Sequence, residues 1–266
     1  MLRNDITMLI FSCDKFSDLW DAHVSQLEKY WGDRNIETFI VTDRKTEKNY
    51  SNVTILAAGE DADFTDRLSY ALMEVKTEYV FVTLDDYFLI QRVSNERINE
   101  LIAAMKALSL DYVRLFPNPR RANVRRIEGY PFLISIDNSV MYSVNLYAGI
   151  WKKEFIKSTV RERKNPWQYE VSLSAIAQEY KAKCAVSTRK EFVILDVVRK
   201  GKILNKANWY LKKHDIYHGE REVHSYGYEI KADIKRYCIK AMPKPVFNLV
   251  RKAMIKLGFH FYSQDV

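Results

Sequence analysis

An apolar run that ends in two adjacent acids, FVTLDDYFLI at residues 81–90, constrains the fold of this chain more than any other segment. The run predicts a buried strand that stops at Asp85 and Asp86. Removing a carboxylate from water is costly unless a cation or a hydrogen-bond donor compensates for it. Two neighbouring acids at the end of a buried strand therefore predict a metal ion or another strong positive partner there.

Short β-branched or aromatic runs alternate with amphipathic segments in the first half of the chain. The segments DLWDAHVSQLEKYW (18–31) and FTDRLSYALMEVK (64–76) repeat apolar residues at helical spacing. Such alternation predicts a mostly parallel sheet that is covered by helices. Ser94 predicts the N-cap of a further helix that ends near residue 108. The predicted strands are 6–13, 37–43, 52–58 and 79–86.

Acids follow three of these four predicted strands. Asp14 follows the first strand, Asp43 ends the second, and Asp85 and Asp86 end the fourth. A single acid after a strand is commonly a helix cap or a turn residue, and that interpretation stays open for Asp14 and Asp43. Because ligands bind outside the carboxyl ends of strands in open α/β sheets, the coincidence of these acids at one edge favours a ligand site.

Charge, hydropathy and cysteine spacing indicate the partner, the compartment and the thiol state that are expected for this protein. The net charge is +8, and residues 231–266 carry eight Lys and Arg against two Asp, so an anionic partner is expected for this tail alone. Neither a bilayer-spanning apolar segment nor a secretory signal is recognisable, which predicts a cytoplasmic protein. Three cysteines without CxxC spacing predict free, buried thiols rather than a disulfide or a zinc site: Cys13, Cys184 and Cys238.

Three motifs make the chain resemble bacterial glycosyltransferases of the GT-A fold, in particular enzymes of capsule or O-antigen type surface polysaccharide assembly. They are FVTLDDYFL, the upstream FTDRLSYAL and the downstream NLYAGIWKKEFIKS…NPWQYE, and the resemblance covers residues 5 to about 215. The acidic pair reads Leu-Asp-Asp where the family pattern is Asp-x-Asp. The resemblance implies a Rossmann-like, mixed but mostly parallel sheet in a catalytic domain at 1–228. A basic helical extension would follow at 229–266.

The acidic pair suits the chemistry of sugar transfer. Negative charge grows on the departing diphosphate of a nucleotide-diphosphate sugar, and Mg²⁺ or Mn²⁺ stabilises that charge as a Lewis acid. Because side chains alternate along a strand, Asp86 in the turn is expected to bind the metal. Asp85 is expected to contact ribose, or water in the metal shell, and to complete the ligand set. The alternative is a double acid that only closes the strand into a solvated turn.

Further donor-binding residues are expected near the same edge. Arg67 can donate charge-assisted hydrogen bonds to diphosphate oxygens, and Asp66 can fix Arg67 or contact the base. An ordinary surface pair on a helix explains Asp66 and Arg67 equally well. The resemblance implies that Asp43 contacts the nucleobase or the ribose, and Asp14 is grouped with these donor-binding residues.

An inverting transfer also needs a base for the acceptor hydroxyl. Asn165 and Pro166 predict the start of a helix to about Tyr180, with Glu170 within its first turn and Trp167 as an apolar floor for a sugar ring. The resemblance supports Glu170 as this catalytic base. The helix dipole alone also favours a glutamate at such a position, so a structural role stays open.

Several other segments have two interpretations. The arginines around residues 114–126 form either a cleft wall or a solvated loop, and residues 199–213 form either a lid or a loop and helix. His214 and His218 have the spacing of a metal pair, although loop positions are favoured for them and for His224. Residues 245–257 predict a basic amphipathic helix that lies either on an anionic membrane or on the catalytic domain. Its apolar face would consist of Val246, Leu249, Val250, Ala253 and Leu257, and the flanking basic residues are Arg251, Lys252 and Lys256.

Together these features predict a metal-dependent, inverting glycosyltransferase of the hexosyltransferase type. It would move a sugar to a saccharide or a polyprenyl-linked saccharide at the inner face of the cell membrane, and nucleic acid is not an expected partner. One alternative is a nucleotidyltransferase, although that class usually has a Gly-rich, basic phosphate loop where this chain has FSCDKFSD. A second alternative is a saccharide-binding scaffold without catalytic activity.

Overall fold

A computed structural model describes residues 5–117 and 124–241 together with Val246, Leu249 and Val250. The chain divides into two compact units, Met1–Leu195 and Asp196–Val266. Most of the predicted helix at 245–257 lies outside the described residues, and the predicted functional division at 228/229 stays a prediction. Also outside them are Arg120 and Arg121 of the arginine group and Arg251, Lys252, Ala253, Lys256 and Leu257 of the tail.

The first half of the first unit has the predicted alternation of strands and helices. Four strands run parallel in the order β3-β2-β1-β4. Their bounds agree with the predicted strands within two residues, which confirms the α/β class. A short 3₁₀ helix, Asp14–Leu19, precedes the first α-helix. The elements are β1 (Ile6–Phe11), α1 (Trp20–Trp31), β2 (Thr38–Thr42), β3 (Thr54–Ala57), α2 (Phe64–Glu74), β4 (Tyr79–Leu84) and β5 (Tyr87–Leu89).

The second half extends the same sheet in mixed orientation. Antiparallel β9 joins β4 to β6, so that the nine strands of the described sheet have the order β3-β2-β1-β4-β9-β6-β10-β8-β7. The predicted caps are confirmed, since Ser94 accepts from the N–H of Arg97 and Asn165 accepts from that of Gln168. The elements are α3 (Asn95–Leu108), β6 (Tyr112–Arg114), β7 (Val124–Ile127), β8 (Tyr130–Ile136), β9 (Gly149–Lys152), α4 (Lys153–Ser158), α5 (Pro166–Glu179), β10 (Cys184–Ser187) and β11 (Ile194–Asp196).

Alternate residues of the central strands face two separate hydrophobic cores. On one face, Met8 and Ile10 of β1 pack in a cluster with apolar residues of α1 and α3, such as Trp31. On the other face, Leu9 and Phe11 pack in a cluster with residues of α2, α4 and α5. Because β1 is buried on both faces, only its carboxyl end is available for a ligand.

The second unit contains two helices and a small antiparallel strand pair among its described residues. Its first helix buries Ala207 and Leu211. None of the helices in the described part of the chain combines the length and the apolar character that crossing a bilayer requires. The elements are β12 (Val198–Arg199), β13 (Lys202–Ile203), α6 (Asn205–His214) and α7 (Tyr226–Ala241).

Candidate functional site

The candidate site lies at the carboxyl edge of the parallel strands, where the strand order changes direction. From β1 the chain passes to β2 on one side and later to β4 on the other. The register pairs Phe11 with both Val41 and Leu84, so the residues that follow all three strands meet at this switch point. Open α/β sheets bind ligands at such switch points.

Asp85 is held in the turn after β4 by a buried relay of hydrogen bonds. Its Oδ2 accepts a short hydrogen bond from the hydroxyl of Ser12. The Ser12 Oγ in turn accepts from the indole N–H of Trp20 at 2.6 Å. All three residues are buried. The relay therefore fixes the direction of one carboxylate oxygen of Asp85, and the neighbouring Asp86 in the same turn is half-buried.

His23 fixes the backbone of the same turn. Its Nδ1 lies 3.0 Å from the carbonyl oxygen of Asp85, so this nitrogen carries the proton and donates. Burial lowers the pKa of His23 to about 4, since the Asp85 carbonyl only partly opposes the desolvation and Arg34 adds to it. His23 is therefore neutral at physiological pH. It acts as a positioning residue for the acidic turn.

Asp43 and Asp14 meet at the end of β2, as their positions after the strands predict. The Oδ1 of Asp43 accepts from the backbone N–H of Asp14 at 2.6 Å and from the hydroxyl of Thr42 at 3.1 Å. Both acids are half-exposed. One carboxylate oxygen of Asp43 is thus fixed by the loop after β1, and donor contact by either acid stays a prediction.

Arg67 brings positive charge to this edge from the second turn of α2. Only 9% of its surface is exposed, and its Nη1 donates to the carbonyl of Ala62 at 2.9 Å. Its Nε has no hydrogen-bond partner within residues 5–117 and 124–241. A buried guanidinium with an unused donor is costly, so this nitrogen suits an anionic ligand.

Cys13 follows β1 by two residues and is influenced by the same three charges. Burial raises the pKa of its thiol, Asp85 and Asp43 raise it further, and Arg67 lowers it. The thiol therefore lies within electrostatic range of two carboxylates and of the guanidinium. Together these four residues outline the candidate site, and the raised pKa makes Cys13 a weak nucleophile.

Asp66 lies at the start of α2 and has structural partners. Its Oδ2 accepts from the N–H of Asp63, which completes a capping box, and the Nε of Arg163 lies 2.9 Å away. The structure thus pairs Asp66 with Arg163, and the expected pairing with Arg67 is not among the described contacts. A role for Asp66 toward the donor stays a prediction.

Glu170 lies on α5, which begins at Pro166 as predicted, but it is the fifth residue of the helix and not in the first turn, so the predicted first-turn position is wrong. Its Oε1 accepts from the N–H of Leu146 at 3.1 Å. Burial raises the pKa of Glu170 above its ordinary value, and the Leu146 bond only partly offsets this effect. Trp167 lies one helical turn earlier and is 55% exposed, so an exposed ring and a poised carboxyl share one side of the helix. A carboxyl group with a raised pKa is a stronger proton acceptor than an ordinary glutamate.

Aromatic contacts join the start of α5 to the edge of the sheet. Phe64 lies between Phe11 and Tyr169, with ring centroids 5.0 and 5.2 Å away. On the other side, Tyr87 beside the acidic turn stacks on Tyr147 at 5.4 Å. Glu170 follows Tyr169 in the sequence and accepts a hydrogen bond from Leu146, the residue before Tyr147. Two sets of packed rings therefore position Glu170 relative to the acidic turn.

The donor set fits a hard divalent cation that keeps open positions for a ligand. Asp85, Asp86 and Asp43 offer carboxylate oxygens, the ligand type that Mg²⁺ and Mn²⁺ prefer. A cage of three or more His, Cys, Asp or Glu side chains does not occur within the described residues. Nucleotide sites hold Mg²⁺ by one or two carboxylates and by phosphate oxygens, and metal binding by Asp86 and Asp85 stays a prediction.

Other predicted candidates lie in different surroundings. His214 is the last residue of α6, whereas His218 lies beyond the left-handed Asp215, so the two histidines do not share one helix. His224 Nε2 lies 2.7 Å from the carbonyl of Arg199. Arg114 is buried in β6, while Arg125 and Arg126 are exposed on β7.

Sequence reasoning missed Ser12, Trp20 and His23 as parts of the site. The signal for Ser12 was its place one residue after β1, level with Asp85 after β4. The signal for His23 was a polar residue within the apolar stripe of α1, next to Val24. A buried polar side chain in such a stripe must find a partner, and here the partner is the backbone of the acidic turn.

Comparison with solved structures supports the fold. The chain is similar to a structure of S. aureus TarS (1–349) in complex with UDP-GlcNAc, with a TM-score of 0.51 and 12% identity over 75% of this chain and 60% of that chain. Bifunctional IspDF from Campylobacter jejuni matches with a TM-score of 0.44 and 14% identity over 73% of this chain and 52% of its own. A UDP-glucose pyrophosphorylase complexed with UDP-glucose matches with a TM-score of 0.47 and 9% identity over 72% of this chain and 92% of that chain.

The chain spans about half of the IspDF chain and three fifths of the TarS chain. No family model and no curated protein matches the sequence. The comparison with TarS therefore shows a shared fold. The chain has a GT-A-like, Rossmann-type α/β fold.

Proposed function

We propose that this protein is a metal-dependent glycosyltransferase that uses a nucleotide-diphosphate sugar as donor. The observation that carries the proposal is that Asp85 and Asp43 follow the two strands that flank β1, each with one carboxylate oxygen fixed by a hydrogen bond, while the buried Arg67 has an unused Nε–H. Carboxylates for a hard cation and a guanidinium for phosphate oxygens are the two requirements of a bound diphosphate. The likeness to the TarS complex with UDP-GlcNAc supports this choice of ligand.

In the proposed reaction, the residues of the acidic turn hold the diphosphate end of the donor. Asp86 and Asp85 would hold Mg²⁺ or Mn²⁺, which when bound supplies Lewis-acid stabilisation to the leaving diphosphate. Arg67 would donate its unused Nε–H to the same oxygens. Asp43 and Asp14, which are half-exposed at this edge of the sheet, would contact the ribose or the base, and Asp66 would contact the base.

Glu170 would act as the base in an inverting transfer. Its raised pKa allows it to accept the proton of the acceptor hydroxyl as that oxygen attacks the anomeric carbon. The exposed ring of Trp167 on the same helix would support the acceptor sugar. We infer a saccharide or polyprenyl-linked saccharide acceptor in surface polysaccharide assembly, since the resemblance of the sequence points to that class.

The test is an assay of products with a panel of nucleotide-diphosphate sugars and saccharide acceptors in the presence of Mn²⁺ or Mg²⁺. We expect release of the nucleoside diphosphate with formation of a glycoside whose anomeric configuration is inverted, as measured by NMR. Release or consumption of pyrophosphate would instead identify a nucleotidyltransferase. Binding of saccharide without any turnover across the panel would identify a scaffold protein.

A further inference from the structure

The second unit carries a continuous apolar stripe on an otherwise polar surface. Tyr226, Ile230 and Ile234 recur at intervals of four residues along α7, and their exposed fractions are 74%, 58% and 58%. Residues four apart lie on the same face of a helix. Exposed apolar residues in a contiguous stripe mark an interaction surface, because single exposed residues are common but aligned ones are not.

The stripe begins at a groove that combines aromatic rings with lysines. Trp209 is 62% exposed and forms a groove of about 420 Å³ with Tyr226 and the exposed Lys212 and Lys213. The Nζ of Lys213 lies 4.8 Å from the centre of the Trp209 ring. An amphipathic ring beside a flexible cation is the pairing found where proteins meet a lipid–water interface.

The two helices that form this surface are held in a fixed relation. The carboxylate of Glu229 on α7 accepts from the backbone N–H of Asn205 and, at 3.1 Å, from its side-chain amide. The same amide donates to the carbonyl of His224 at 2.6 Å. The rings of His224 and Tyr228 stack at 3.9 Å. The groove and the stripe are therefore parts of one surface.

Charge identifies the occupant of this surface. Residues 196–266 contain fifteen Lys and Arg against seven Asp and Glu, whereas residues 1–195 contain 27 of each, so the second unit carries the whole net charge of +8. An apolar stripe beside a groove with two exposed lysines, in a unit with excess positive charge, is complementary to an anionic phospholipid surface. A protein partner would need a matching acidic rim, and neutral lipid would leave the positive charge without a counterpart.

We propose that the second unit binds an anionic phospholipid bilayer through the α7 stripe and the Trp209 groove. Tyr226, Ile230 and Ile234 would enter the headgroup region, Trp209 would lie at the interface, and Lys212 and Lys213 would contact lipid phosphates. Most residues of this surface precede residues 231–266, the tail for which the sequence predicts an anionic partner. The inference does not depend on the proposed transferase reaction, since its test measures binding alone.

The test is sedimentation of the full chain with phosphatidylcholine vesicles, with and without phosphatidylglycerol. We expect retention only by the anionic vesicles, and weaker retention at 1 M salt, where the Debye length is about 3 Å. The double variant Lys212→Gln/Lys213→Gln should bind about thirty-fold more weakly, at about five-fold for each lysine near an anionic surface. The matched control is Lys157→Gln/Lys183→Gln, which removes two exposed lysines of the first unit and should bind normally.

A second pair of variants tests the apolar part. Ile230→Ser/Ile234→Ser should lose on the order of ten-fold in affinity for anionic vesicles. Met73→Ser removes an apolar side chain that is 71% exposed in the first unit and should have no effect on vesicle binding. Tryptophan fluorescence should shift to the blue on vesicle binding, and Trp209→Phe should abolish this shift whereas Trp167→Phe should not.

Two results would overturn the proposal. One is an intact chain that anionic vesicles do not retain, or that neutral vesicles retain equally well. The other is an Ile230→Ser/Ile234→Ser variant that binds vesicles like the wild type but has a lower melting temperature. That second result would mean that another part of the chain covers the stripe.

Discussion

The substitution Ser12→Ala tests whether the relay to the acidic turn controls the candidate site. It removes the hydroxyl that donates to Asp85 and accepts from Trp20, and all three residues are buried. A hydrogen bond to a charged group contributes about 1.5–3 kcal/mol, and a buried donor left without a partner costs about 1–3 kcal/mol. Because the two effects share one hydroxyl, we expect a total loss of about 2–3 kcal/mol in the free energy of unfolding.

The assay has a stability arm and a binding arm. A loss of about 2–3 kcal/mol lowers the melting temperature by roughly 4–12 °C in a chain of this size. Because the released Asp85 carboxylate can turn away from the ligand, metal-dependent affinity for a nucleoside diphosphate should fall as well. Ser12→Thr keeps the hydroxyl and should restore more of this affinity than Ser12→Ala does.

The matched control is Thr77→Ala. Its hydroxyl bonds to that of Thr7 at 2.9 Å, which is also a contact to β1 but at the opposite, amino-terminal edge of the sheet. This variant should lose stability without any loss of nucleotide affinity. The reasoning would be refuted if Ser12→Ala bound nucleoside diphosphate with the wild-type affinity, or if Thr77→Ala weakened binding equally.

Two further predictions concern charged residues of the site. Glu170→Gln keeps an acceptor for the Leu146 N–H but cannot accept a proton, so turnover should fall by roughly 10²–10⁴-fold while donor affinity stays unchanged. A variant with wild-type turnover would exclude Glu170 as the base. Because folding raises the pKa of Glu170, ionisation of this group destabilises the fold as pH rises through that pKa. In thermal unfolding, Glu170→Gln should therefore be more stable than the wild type at pH 8, and this difference in stability should shrink toward pH 4. Arg67→Gln should weaken nucleoside diphosphate binding by roughly 10–150-fold, which corresponds to about 1.5–3 kcal/mol for a charged hydrogen bond. Arg67→Lys should retain only part of the wild-type affinity. Because Arg67 lowers the pKa of Cys13, its loss should also slow alkylation of Cys13 at pH 8 in peptide-resolved mass spectrometry; an unchanged rate would contradict the placement of Arg67.

The sequence predicted the frame of the molecule because that frame depends on local patterns. Strand β4, the cap at Ser94 and the start of α5 at Pro166 each follow from a few neighbouring residues. The approach of Asp14 and Asp43 was also predictable, since both follow parallel strands that are adjacent in the sheet. Patterns of this kind require no knowledge of the packing between distant segments.

Contacts between distant segments could not be read from the sequence. The partner of Asp66 is Arg163, which lies 97 positions away on the loop before α5. The Trp20–Ser12–Asp85 relay depends on the orientation of an indole ring toward one hydroxyl, and periodicity does not define that orientation. The exposure of the α7 stripe could not be predicted from the sequence, because an apolar residue every four positions equally predicts a helix packed on a core.

The central claim is that the acidic turn binds a metal ion together with a nucleoside diphosphate. Titration calorimetry of UDP and other nucleoside diphosphates, with and without Mn²⁺, measures this directly in the wild type and in Asp85→Asn and Asp86→Asn. We expect binding that requires the metal and that both substitutions abolish, while the melting temperature of Asp86→Asn stays near that of the wild type. Nucleotide binding that is equally strong without metal, or that survives both substitutions, would contradict the central claim.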